Sequence, residues 1–320
     1  MHTIADISTR FGALREQLDR VIIGQERVKT LAITSLVAGG HMLLEGVPGT
    51  GKTLLSLALA RLLGCRFRRI QFTPDLMPSD LLGANIFSQK TQEFAFRAGP
   101  VFTDILLADE VNRTPPRTQA ALLEAMQEGA ATIDGARYKV SPVFTVFATQ
   151  NPVEFEGTYP LPEAQRDRFL FKINIDFPEA DDEVRMLEAY AAGKRLHDEM
   201  VAALQPVVSA EELLQARRTV TSQVRVEPHI IRYIQEIVSR TRRDEAVQIG
   251  AGPRASLALL EASRAAAALQ ARDFITPDDV KSHVLPVLAH RVTLSPEAEM
   301  EGLALEDLLG RIFDQVEVPR

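Results

Sequence analysis

The chain lacks tryptophan altogether and has a single cysteine, Cys65, among its 320 residues. One cysteine excludes an internal disulfide framework and any metal site built from several thiolates, and it fits a reducing compartment. Aromatic residues make up only 6% of the chain, so stacking platforms for single-stranded nucleic acid are not evident. A basic excess is missing too. The formal net charge is −7, which disfavours nucleic acid as the main partner, because neutralising phosphates needs Lys and Arg in surplus. No uninterrupted apolar run approaches the ~18 residues of a membrane-spanning helix. The first residues, with Asp6 and Arg10, contain no long apolar core of a secretory signal. The expectation is a cytoplasmic protein without a transmembrane segment. His41, His229, His283 and His290 show no metal-ligand spacing.

What the chain does have is Gly46-Val47-Pro48-Gly49-Thr50-Gly51-Lys52-Thr53. Glycine, four spacers and Gly-Lys-Thr form the phosphate-binding loop pattern, which requires a buried strand before it and a helix after it. Both flanks are present. Residues 41–45 form an apolar run, and residues 54–63 read as a helix. The glycines let backbone N–H groups turn toward a phosphate, where the dipole of the new helix adds positive potential. Lys52 supplies a mobile cation for the outer phosphates. Thr53 offers a hydroxyl to Mg²⁺, which keeps several waters and takes few protein oxygens. The chain is expected to bind a nucleoside triphosphate with Mg²⁺.

Helical spacing through residues 7–21 and 26–38 leads into the strand before the loop. Further strands are expected at residues 67–72, 101–108, 143–148 and 169–175. Residues 85–99 read as an insertion, and residues 130–141, centred on Asp134-Gly135, carry a hairpin signal. Strands alternating with helices imply an α/β domain with a mainly parallel sheet covered on both faces. From Asp181 onward helical periods dominate, at residues 183–192, 209–220, 228–243, 253–271 and 277–289, and Thr276-Pro277-Asp278-Asp279 forms a capped start. The expected organisation is a nucleotide-binding domain over residues 1–177, a linker at 178–184, and an all-helical lid domain over 185–320.

The strand at 101–108 runs into Asp109-Glu110. An acidic pair at a strand end is often only a solvated turn. With the lysine loop upstream, Asp109 is placed to hold Mg²⁺, largely through water, and Glu110 to polarise an attacking water. Asn151 ends the strand at 143–148, where an amide can orient water against the terminal phosphate. An Asn-Pro turn is its bland alternative. Arg168, in Gln165-Arg166-Asp167-Arg168-Phe169, could on composition alone be an ordinary helix-end cation.

Together these segments go beyond a generic nucleotide binder. The phosphate loop, Gln71-Phe72-Thr73-Pro74-Asp75-Leu76-Met77-Pro78-Ser79-Asp80, Ala108-Asp109-Glu110-Val111-Asn112-Arg113 and Thr118-Gln119-Ala120-Ala121-Leu122-Leu123-Glu124-Ala125-Met126 carry one resemblance. Ala148-Thr149-Gln150-Asn151-Pro152, Tyr159-Pro160-Leu161-Pro162-Glu163-Ala164-Gln165 and Asp167-Arg168-Phe169 extend it. Over nearly the whole length the chain resembles the MoxR family of AAA+ ATPases. The resemblance implies Walker A at Gly46 to Thr53, Walker B at Asp109 and Glu110, and a sensor-1 asparagine at Asn151. It implies an arginine finger at Arg168, acting on ATP held by a neighbouring subunit, and hence a ring, usually a hexamer. Sensor 2 would be Arg254, at the start of a lid helix, and Ile23 with Gly24 would contact the adenine, although a plain packed turn has the same pattern there. Arg166 stands where such proteins often carry an apolar residue, so two cations flank Asp167. Arg113 and Arg117 could reach the adjacent subunit or form a basic helix face.

The implied activity is Mg²⁺-dependent ATP hydrolysis coupled to chaperone-like remodelling or maturation of a client protein, with a von Willebrand factor A domain partner. Two alternatives share the residues: a magnesium-chelatase-like motor subunit, and a nucleotide-gated assembly switch with little turnover. Intact Glu110, Asn151 and Arg168 argue against a dead site.

Overall fold

The computed structural model describes residues 1–47, 49–90, 92–151, 157–193 and 199–319, so Pro48 of the loop and Pro152 lie outside the described residues. The first half runs α1 (Ile4–Asp19), α2 (Glu26–Ala38), β1 (Met42–Glu45), α3 (Lys52–Leu62), β2 (Phe67–Gln71), α4 (Pro78–Leu82), β3 (Gly83–Ser88), β4 (Glu93–Ala98), β5 (Ile105–Asp109), α5 (Pro116–Glu128), β6 (Ala130–Ile133), β7 (Ala136–Lys139), β8 (Thr145–Gln150), α6 (Glu163–Arg166) and β9 (Phe171–Asn174). The second half runs α7 (Ala180–Ala191), α8 (Glu199–Ala203), α9 (Ala210–Gln223), α10 (Pro228–Arg240), β10 (Val247–Ile249), α11 (Pro253–Leu269), α12 (Pro277–Leu288), β11 (Thr293–Leu294), α13 (Pro296–Met300) and α14 (Leu305–Asp314).

Five strands form one sheet in the order β2-β5-β8-β1-β9, and every pairing is parallel. The apolar runs of β1, β5 and β8 are buried because each has a strand on both sides and layers on both faces. The register aligns the strand ends. Gln71 pairs with Asp109, Ala108 with Ala148 and Glu45 with Gln150. Glu45, Asp109 and Gln150 therefore reach a common carboxyl edge, where ligands bind in open parallel sheets.

Capping fixes several helix starts. In α1 the Thr3 hydroxyl accepts from the Asp6 N–H (3.1 Å) and the Asp6 carboxylate accepts from the Thr3 N–H (3.2 Å). Thr276 and Asp279 form the same box at α12, as the sequence pattern foretold. The Asp134-Gly135 turn has both residues at positive φ, which is the geometry that suits a two-residue hairpin between β6 and β7.

The structure departs from the sequence reading in three places. Residues 180–184 of the expected linker already belong to α7, which starts at Ala180 behind the extended Glu179 and carries Asp181, Asp182 and Glu183 in its first turn, where acidic side chains suit the helix dipole. Only the second half of residues 101–108 is strand. The Asp104 carboxylate accepts from the backbone N–H and guanidinium of Arg66 (2.8 and 3.0 Å), so the segment before Ile105 is bent onto the start of β2. The lid is helical but adds the antiparallel ribbon β10–β11, whose strands are too short for an alternating pattern to show in the sequence. One apolar cluster continues from Ile4 and Phe11 of α1, through α2 and α3, to Leu259 of α11 and Phe313 of α14. The lid helices thus share a core with the sheet domain, and each fully buried Leu or Phe in it contributes about 1.5–3 kcal/mol.

Candidate nucleotide site

The loop between β1 and α3 turns through Gly49 and Gly51 at φ 86° and 85°, a backbone region open to glycine and strained for other residues. Lys52 starts α3, and its ammonium folds back over the loop, donating to the carbonyls of Gly46 (2.6 Å) and Val47 (2.9 Å). Burial lowers the Lys52 pKa below its ordinary value, while Asp109 and Glu110 act in the opposite direction. The Gln25 amide, at the N-terminus of α2, donates to the Thr50 carbonyl (2.9 Å). This bond ties the phosphate loop to the turn that carries Ile23 and Gly24.

At the end of β5, Asp109 accepts on one oxygen from the Thr149 hydroxyl (2.9 Å) and on the other from the Arg69 guanidinium (2.7 Å). Glu110 turns the chain out of the strand at φ 56° and ψ 51°, a left-handed conformation that costs a non-glycine residue about 1–3 kcal/mol. Three contacts hold it there. Its N–H donates to the Thr149 hydroxyl (2.9 Å), and its carboxylate accepts from the Gln71 amide (2.5 Å) and the Arg113 guanidinium (3.1 Å).

These groups line one cavity of about 760 Å³, within the 300–1,000 Å³ typical of ligand pockets. Gly46, Gly49, Lys52, Thr53, Asp109, Glu110 and Asn151 lie on one side, and Val21, Ile22, Ile23, Pro178, Met186 and Tyr190 on the other. The polar side suits phosphates and the apolar side suits a base. Thr53 and Asp109 bring two hard oxygen donors to the same wall, which fits Mg²⁺ bound mostly through its own waters.

Residues 41–171 match the model of the ATPase family associated with various cellular activities, and residues 239–312 match the AAA lid domain. The crystal structure of a candidate ATPase from Cytophaga hutchinsonii superposes with a TM-score of 0.90 at 36% identity, covering 99% of this chain and 97% of that one. The uncharacterised protein YeaC of Bacillus subtilis is 46% identical over 98% of this chain and 96% of its own length. Chaperone MoxR1 of Mycobacterium tuberculosis is 39% identical over 99% of this chain and 84% of its own. The chain belongs to the MoxR family of AAA+ ATPases.

In this MoxR-family chain the structure gathers most of the expected site residues into the cavity. Gly46, Gly49, Thr50, Gly51, Lys52, Thr53, Asp109, Glu110, Asn151 and Ile23 all line it. Val47 contributes its carbonyl to Lys52, and Gly24 lies next to Ile23 at φ 68°. The two expected arginines sit elsewhere. Arg168 donates to the Leu123 carbonyl of α5 (2.7 Å), Arg254 lies 3.8 Å from the Asp167 carboxylate, and neither is among the residues that line the cavity. Arg69, Gln71 and Thr149 were not singled out from the sequence as site residues. Their signal is positional, since β2 and β8 flank β5 and end level with Asp109.

Proposed function

We propose that the chain hydrolyses ATP with Mg²⁺ in a ring, and that hydrolysis drives chaperone-like remodelling of a client protein. The observation that carries this is the division of the site. Lys52, Thr53, Asp109, Glu110 and Asn151 share one cavity, whereas Arg168 and Arg254 flank Asp167 outside it. A single subunit therefore presents a phosphate pocket without its arginines and a pair of arginines without a pocket. Placing one against the other in a neighbouring subunit completes both, and repetition of that head-to-tail contact closes a ring.

In the completed site Lys52 and the loop N–H groups hold the phosphates, and Asn151 orients the attacking water. Glu110 takes the proton of that water as its oxygen bonds to the terminal phosphorus and the bond to ADP breaks. Thr53 and Asp109 would hold Mg²⁺, which would supply positive charge against the phosphates. Arg168 and Arg254 of the adjacent subunit stabilise the charge that develops on the transferred group. Ile23 and Gly24 lie where the adenine would rest. The remodelling part of the reading draws support from the name of the relative Chaperone MoxR1, and from exposed apolar residues on the β3–β4 hairpin, Ile86, Phe87 and Phe94. A von Willebrand factor A domain protein is the proposed partner and the hexamer the proposed assembly.

The test is the ATPase rate per subunit against protein concentration. The rate should rise as the ring forms, and Arg168→Ala should lower the rate of the assembled protein by about 10³-fold or more. Glu110→Gln should bind ATP, fail to turn it over, and co-purify the partner. A rate per subunit that stays constant down to monomer and survives Arg168→Ala would overturn the ring.

A further inference from the structure

Arg291 follows α12 in the lid, and its side chain is 3% exposed. A guanidinium has five N–H donors in a fixed plane, and here every one of them is used. The Nε donates to the Asp167 carboxylate (2.7 Å). One terminal nitrogen donates to the carbonyls of Leu170 (3.2 Å) and Val287 (2.5 Å), and the other to those of Asp167 (3.0 Å) and Phe169 (2.6 Å). The Phe169 carbonyl also accepts from the buried His290 ring (2.9 Å), and Thr293 of β11 donates to Glu163 of α6 (3.2 Å).

Four of the five bonds go to residues 167–170, the segment that carries Arg168. The second carboxylate oxygen of Asp167 faces Arg254, on the first turn of α11 in the lid. One lid arginine thus grips the backbone on both sides of Arg168, and through Asp167 it also touches the other arginine of the site. A buried guanidinium that loses one of these partners is left with an unpaired N–H, and its departure would orphan the carbonyls and the carboxylate, so the grip has one favoured geometry.

We propose that Arg291 is a positioning residue for ATP hydrolysis: by clamping residues 167–170 to the lid it sets Arg168 and Arg254 as one rigid unit for the nucleotide of the adjacent subunit. The inference rests on the ring reading above. It adds a route of coupling, because any movement of the lid carries residues 167–170 with it, so the state of one pocket alters the arginines offered to the next.

The experiment uses the full chain with Arg291→Lys and Asp167→Asn. Lysine keeps the charge but has one nitrogen, and asparagine keeps the shape but weakens the hold on both arginines. Both variants should assemble and bind a fluorescent ATP analogue as the parent does, with kcat lowered by about 10²-fold and KM little changed, since a displacement near 1 Å costs that much. Mixing either variant with Lys52→Ala should restore turnover. The variant brings an intact pocket and the Lys52→Ala subunit brings correctly held arginines. A purely structural role predicts loss of binding or assembly in both variants and no recovery on mixing, and that outcome overturns the proposal, as does a parent-like kcat. Arg168→Ala, measured alongside, separates the two ideas: if it keeps full turnover, the ring reading itself fails.

Discussion

One hydroxyl serves both acidic residues of the site. Thr149 donates to Asp109 and accepts from the Glu110 N–H, both at 2.9 Å, so it fixes the carboxylate proposed above as the Mg²⁺ holder and the strained backbone of the proposed base together. Thr149→Val keeps the shape and removes both bonds. The expected result is a fall in kcat of about 10- to 100-fold from misplacement of Glu110, with affinity for the ATP analogue retained because Lys52 and the loop are untouched. Steady-state kinetics beside an analogue titration would check it, and an unchanged kcat would remove Thr149 from the machinery. Lys52, Thr53, Asp109 and Glu110 were legible in the sequence because each sits in a short local pattern with a chemical reason for its spacing. Thr149 and Gln71 act on Glu110 from 39 positions away. No local spacing encodes that distance, which appears only once β2, β5 and β8 lie side by side.

Among the elements, α7 was visible as a helix and silent about its task. Its period is helical, yet none of its residues is buried. Met186 and Tyr190 form part of the apolar wall of the cavity, and Asp182 packs against Gly24. A Cβ placed on Gly24 would come within 2.0 Å of an Asp182 carboxylate oxygen, at a φ of +68° that disfavours side chains. The expected adenine contact at Ile23 and Gly24 therefore depends on α7 standing close to the turn. Gly24→Ala drives the Asp182 side chain aside and strains the turn at a cost of about 1–2 kcal/mol, and where that cost falls on the nucleotide-bound state, KM for ATP rises roughly 5- to 30-fold. The chemistry at Glu110 is remote from the change, so kcat at saturating ATP should hold. Titration of an ATP analogue and a Michaelis curve would check this, and an unchanged KM would separate α7 from nucleotide binding. The ribbon β10–β11 and the bent start of β5 were illegible for a related reason. Both are set by partners distant in the chain, Arg66 with Asp104 and Val247 with Leu294, rather than by the period of their own residues.

At the scale of the whole molecule, buried neutral histidines in the sheet domain and at its joint with the lid make the fold sensitive to acid. His290 donates to the Phe169 carbonyl and His283 stacks on Phe171 of β9, both reaching from the lid to the sheet domain. His41, at the foot of β1, accepts from the Val146 N–H (3.0 Å) and lies 3.3 Å from the Met126 carbonyl. Burial lowers the pKa of all three, that of His41 to about 4 from 6.5. A histidine whose folded pKa is depressed binds its proton more readily in the unfolded chain, so stability is full above pH 6.5 and declines as pH falls toward 4. His41 alone accounts for a loss on the order of 3 kcal/mol across that window. Carboxylates act in a different range. Asp279 and Asp104 are held below the ordinary value of 3.8 by Arg272 and Arg66, so their contribution persists above pH 4 and is lost only below it. Urea denaturation between pH 8 and pH 4.5 should show a plateau down to about pH 7 and then a steady fall. His41→Gln, which cannot take up a proton, should flatten the slope even if it lowers the plateau. A parent curve that stays level to pH 5 would mean that these rings gain no protons on unfolding, and the acid sensitivity assigned to the buried histidines would be wrong.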